Sequence, residues 1–183
     1  MGEFINSLVK TLFGDASGRF EEERGQAPRM DVQSDRVSLP GSMRNERLLN
    51  EVLMIAPRFS NTGGIYYDEA NLDWIMIPKY PLPERWQERW AKLLIVPPST
   101  YPDLAPLGFY LNKKFRLKAG GSDPHATGQA YHGAPDLLKS GWHWYCVTVQ
   151  NGAGGWHPSA DYRQPDNMWT FLNMVRESLT NDF

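Results

Sequence analysis

Cysteine and histidine are scarce in this sequence, with one of the first and four of the second among 183 residues. Cys146 is therefore its only thiol. A thiolate is intrinsically nucleophilic near neutral pH, and a thioester keeps an acyl group activated for a later amine. The same residue type is also a common small apolar filler, so position decides between the two roles. His125, His132 and His143 precede Cys146, and Asn151 and His157 follow it. A metal site built on His143 and Cys146 is disfavoured, because three residues along a strand send the side chains to opposite faces and the other histidines lack ligand spacing. A cysteine hydrolase pairing Cys146 with His125, His132 or His157 has no local nucleophile signature behind it. With no CxxC and a single cysteine there is no disulfide framework or structural zinc pattern, and no metal or cofactor is called for.

The chain that must position this thiol is long enough for one domain, burying roughly 70% of its unfolded surface. Hydrophobic residues at 41% and aromatics at 13% describe a real core. A net charge of −2 argues against a phosphate-backbone binder. No apolar run reaches the roughly 18 residues of a membrane span, and the start of the chain lacks the cationic and small-residue marks of a secretory signal. The expectation is a cytoplasmic protein that binds neither nucleic acid nor membrane.

Along the chain, Phe4, Ile5, Leu8, Val9, Leu12 and Phe13 recur at helical spacing and predict an amphipathic helix over 1–14. Residues 15–41, with Glu21, Glu22 and Glu23 in a row, read as a flexible linker. The domain is expected over 42–183. Ser42 is read as the cap of a helix with Leu48, Leu49, Val52, Leu53 and Ala56 on one side, closed by Pro57. Short strands are expected at Trp74–Ile77, Leu93–Val96, Gly108–Leu111 and from Trp142 to Val149. A long loop over Lys118–Ser140 precedes the last of them. Trp86 and Trp90, with Arg85 and Arg89, are read as an amphipathic turn packed on the sheet, the rival reading being a recognition surface. Asp166 or Asn167 caps a terminal helix that buries Met168, Phe171, Leu172, Val175 and Leu179. The fold class is α+β: an antiparallel meander of about four strands flanked by N- and C-terminal helices.

Three pieces on this order resemble the ubiquitin-conjugating enzyme superfamily, and most closely its divergent bacterial branch acting with ubiquitin-like modifiers. One is Pro97-Pro98-Ser99-Thr100-Tyr101-Pro102-Asp103-Leu104-Ala105-Pro106, similar to the family's tyrosine-proline turn with a further proline before the next strand. Another is Cys146 itself, placed after the loop that follows the meander. The last is Trp156-His157-Pro158, ten residues beyond the cysteine, similar to the family's Trp-x-Pro. Proline fixes φ and drives the residue before it to extended geometry, so Tyr101, Pro102 and Pro106 are read as shaping the sheet. Trp156, with Pro158, is read as a wall near the cysteine segment.

The resemblance implies a ubiquitin-conjugating-enzyme-like fold and a carrier function. An activating enzyme would adenylate a ubiquitin-like protein with ATP and pass it as a thioester to Cys146, from which an amine on a target protein would take it. The carrier itself would bind no nucleotide. Bacterial relatives tend to sit beside an activating enzyme, a modifier and a deconjugating metalloprotease, often in antiviral defence. The sequence departs from better-known members in lacking a His-Pro-Asn motif before the cysteine. A donor to the tetrahedral intermediate would then be a backbone N–H, Asn151, His132 or His143, with no single choice favoured. The alternative the departure leaves open is an inactive adaptor of the same fold that binds the modifier or the activating enzyme.

Overall fold

The computed structural model describes residues 40–120, 134–147 and 155–181, all within the unit Pro40–Phe183 that follows a division of the chain after Leu39. The helix expected over 1–14 lies outside the described residues, as do His125, His132, Asn151 and the linker expected over 15–41 up to Leu39; the last two residues of that linker, Pro40 and Gly41, are helical and not linker.

The first described element, α1, runs Pro40–Ile55. Ser42, expected to precede the helix as its cap, is itself a helical residue. Leu48, Val52 and Ile55 face the core, and Phe59 continues their line from the 3-10 turn Ala56–Thr62. Leu53, expected in the buried stripe, is exposed. The reason is angular, since each residue turns the helix by about 100° and the face through 48, 52 and 55 leaves 53 to one side. Pro57 sits at the start of the 3-10 turn, which ends at Gly63 with φ +94°, a value that favours glycine.

Five antiparallel strands follow in the sheet order β1-β2-β3-β4-β5: β1 (Tyr66–Tyr67), β2 (Ile75–Pro81), β3 (Trp90–Ile95), β4 (Gly108–Leu111) and β5 (His143–Cys146). Four correspond to the expected strands. The additional one is the two-residue β1, too short to carry a periodic signal. Trp86 is buried in the β2–β3 connection, where its Nε1–H donates to Leu179 O at 2.8 Å. Trp90 opens β3 and is half exposed. Trp86 is therefore packed in a turn as expected, whereas Trp90, expected in the same turn, belongs to the strand and is not packed away.

Side chains alternate across the sheet. Ile75, Ile77, Leu93, Ile95, Phe109, Leu111 and Tyr145 meet the helices in one core. Against them lies α2, Met168–Thr180, whose buried residues are the five expected: Met168, Phe171, Leu172, Val175 and Leu179. Its cap is Asn167, whose side-chain oxygen accepts from Thr170 N at 3.0 Å. On the opposite face the ladder lines up Met76, Leu94, Tyr110 and Trp144 in one row, all buried. No helix among the described residues is long and apolar enough to cross a membrane.

Gly108 is the tightest point of that second face. A Cβ there would lie 2.6 Å from the Trp144 ring and nearer still to the Tyr145 carbonyl oxygen. Gly108→Ala is expected to cost about 2 kcal/mol through this overpacking. Urea unfolding checks it, and an unchanged midpoint would show that Trp144 does not press on the β4 backbone.

Candidate active site

Cys146 is the last residue of β5, an edge strand held on one side by β4. The register places it opposite Gly108, with Tyr145 opposite Phe109 and His143 opposite Leu111. Tyr145 anchors the strand, its ring stacked on Phe109 with centroids 5.2 Å apart. One residue further the alternation turns the side chain away from the helices, and the Cys146 thiol is exposed. Its Sγ lies 3.9 Å from Leu107 O, a weak contact to the residue just before β4. Cys146 is thus an exposed residue and no core filler. Partial burial pushes its thiol pKa up, since removal of water disfavours the thiolate.

His143 does not join it. Three residues earlier on an uninterrupted strand, it projects from the opposite face, about 10 Å away along the chain. Desolvation, with repulsion from Lys114 second, lowers its pKa and favours the neutral imidazole. His143 is therefore not placed to donate to an intermediate on Cys146, and the pair cannot share a metal. His157 is exposed, with its backbone N–H donating to Asp166 Oδ2 at 2.7 Å. The remaining sequence candidates, Asn151 and His132, lie outside the described residues.

The structural residues do come together. Trp156 Nε1–H donates to Pro102 O at 2.6 Å, and its ring lies 6.2 Å from that of Tyr101. Tyr101, Pro102 and Pro158 line one open groove of about 640 Å³ with Arg44 and Arg47 of α1. Behind it is a residue that the sequence reading missed. Glu51 is fully buried, and its carboxylate accepts from the Tyr101 hydroxyl, from the Arg47 guanidinium and, at 2.7 Å, from Met168 N at the start of α2. Arg47 also donates to Ser159 O at 2.6 Å, which ties in the segment after Trp156. Burial, with the Glu51 carboxylate second, holds the Tyr101 hydroxyl protonated well above its ordinary range. The available signal was a carboxylate three residues after Leu48 and four before Ile55, on the buried face of α1.

Two measurements follow. Glu51→Ala strands a buried guanidinium, a hydroxyl and a helix N–H, so it is expected to cost about 3–5 kcal/mol in urea unfolding. Glu51→Gln keeps an acceptor and is expected to cost less; an alanine variant within about 1 kcal/mol of wild type would remove Glu51 from this role. Alkylation of Cys146 by iodoacetamide reports its thiolate. Because burial favours the protonated thiol, the rate is expected to rise with a midpoint above the ordinary thiol value of about 8.5. A midpoint at or below that value would mean that a stabilising charge outweighs burial.

Comparison with known proteins places these features in a family. No curated protein and no solved structure matches the chain. The family model described as "Prokaryotic E2 family E" matches residues 58–182, from the turn after α1 through α2, and this span contains the Tyr-Pro turn, Cys146 and Trp156. The chain belongs to prokaryotic E2 family E, a bacterial family of ubiquitin-conjugating-enzyme-like proteins.

Proposed function

We propose that this protein carries a ubiquitin-like modifier as a thioester on Cys146. The observation that carries the reading is an exposed, lone thiol at the end of β5 in a chain of this family. The Cys146 thiolate attacks the thioester carbonyl that joins the modifier to its activating enzyme. A C–S bond to Cys146 forms, and the C–S bond to the activating enzyme breaks, releasing that enzyme's thiolate. A target amine then attacks the new thioester, the C–N bond forms, the Cys146 sulfur leaves, and the amine's proton passes to solvent.

One observation favours the adaptor reading in which the same fold only binds these partners. The Cys146 pKa is shifted up, whereas activated cysteines are usually shifted down by a neighbouring cation or helix N-terminus. Chemistry on the thiol separates the two. Incubation with the cognate activating enzyme, modifier and ATP is expected to give an adduct on Cys146 that excess thiol removes, because exchange cleaves a thioester and leaves an amide intact. Cys146→Ala is expected to form none, and Cys146→Ser a slower, thiol-resistant ester. An adduct on the alanine variant, or none on wild type with active partners, would favour the adaptor.

A further inference from the structure

On the sheet face that carries Cys146, a cavity of about 120 Å³ opens between Val96, Pro97, Pro98, Leu107, Gly108 and Trp144. It is joined to the thiol by three of its walls. Leu107 supplies the carbonyl 3.9 Å from the sulfur, and Gly108 is the ladder partner of Cys146. Trp144 stands two residues before it on the same face, about 7 Å along the strand.

The cavity is built before any ligand arrives. Arg44 fixes the proline wall, its Nε donating to Pro98 O at 3.1 Å and its terminal nitrogen to Pro97 O at 3.2 Å. Tyr110 donates its hydroxyl to Pro135 O at 2.7 Å and so holds the wall that Ala134 and Pro135 form. Trp144 is seated against Gly108, where no side chain could fit. Leu107 stands at the mouth, 45% exposed.

Size and polarity identify the ligand. Sites for whole small molecules run to about 300–1,000 Å³, and an apolar cavity of about 150 Å³ holds a benzene-sized group. This one therefore takes a single side chain, and with no charged residue among the described residues that line it, that side chain is neutral and aliphatic. A polypeptide leaving the sulfur by its C-terminus advances about 3.3 Å per residue, so its second to fourth residues pass within reach of the mouth.

We propose that this pocket receives one aliphatic side chain from the last few residues of the acyl chain carried on Cys146, and so selects modifiers by their tail sequence. The proposal rests on the carrier reading above. Its test needs only defined probes: seven-residue glycine-serine peptides with C-terminal thiophenyl thioesters, carrying leucine at the second, third, fourth or fifth position from the thioester. The Cys146 thiolate attacks the peptide carbonyl, a C–S bond to Cys146 forms, and the C–S bond to thiophenolate breaks, the departing thiolate taking a proton from solvent.

Acylation of Cys146 in the full chain is followed by mass spectrometry at non-saturating peptide, each rate divided by that of iodoacetamide to remove differences in thiol reactivity. One leucine position is expected to react about tenfold faster than the others. Ala134→Leu, which fills the cavity from its rim, is expected to abolish that preference. Rates equal within about twofold across the scan, or a preference that survives Ala134→Leu, would overturn the proposal. A flat scan leaves the carrier reading standing, whereas loss of the ATP-dependent, thiol-sensitive adduct removes that reading whatever the scan gives.

Discussion

The carboxylate of Glu51 lies at no solvent exposure, and three parts of the chain converge on it: its own helix through Arg47, the Tyr-Pro turn through Tyr101, and the first N–H of α2. Apolar contact between helices and sheet is strong but non-directional. It tells α2 to lie on the sheet, without fixing where its first turn must end. A buried carboxylate does fix it, because removing the charge from water is costly and only a complete set of donors offsets that cost. The arrangement extends beyond the core. Arg47 reaches Ser159, and Trp156 is bonded to Pro102, so the segment that returns from the cysteine region toward α2 is pinned at two points to the frame that Glu51 holds.

The sheet solves a different problem, which is how to keep a thiol accessible in a strand of aromatic residues. Trp142, Trp144 and Tyr145 are all buried, so β5 is anchored almost to its last residue. Stacking of Tyr145 on Phe109 fixes the register on the helix side, and Trp144 against Gly108 fixes it on the other. Cys146 comes immediately after both anchors. Its position is therefore set by rigid neighbours, while its side chain lies beyond the row that Trp144 closes.

Much of this was legible in the sequence, and the parts that were not share a cause. The stripe of α2 and its Asn167 cap could be read because helix periodicity and capping are local. The strand β4 was read to the residue, since its apolar run is bounded by Pro106 and Asn112. The two-residue β1 was missed because it exists only through pairing with β2. Leu53 was misplaced because an apolar residue beside a buried stripe looks like part of it. Glu51 escaped for the opposite reason: a charged residue on the apolar side of a helix reads as a solvated interruption until its partners, 50 and 117 residues away, are known. At the site, Cys146 was legible as the lone thiol. The separation of His143 from it followed from strand alternation, and the neighbouring cavity could not be read because its walls come from four separate stretches of chain.

A thiol whose pKa is raised by burial has consequences for the direction of acyl transfer in the carrier reading. Below the pKa, each unit of increase removes about tenfold of the thiolate, while nucleophilicity rises by only about threefold for a Brønsted slope near 0.5. Below its pKa the free thiol is then a slower nucleophile than one of ordinary pKa. The same shift makes Cys146 a poorer leaving group than a thiol of ordinary pKa. In that reading, an acyl group arriving from a donor thiol of lower pKa would move to a bond that is harder to expel. What the thiol lacks in ionisation must be supplied by proximity, because holding a reacting carbonyl near the sulfur replaces a bimolecular encounter with a unimolecular step. A preformed apolar cavity on the same sheet face, with walls fixed by Arg44, Gly108 and Tyr110, can supply that proximity. Under the proposal made above it would contribute binding only when an acyl chain lies along the strand end, and it would leave the electronic character of the sulfur unchanged.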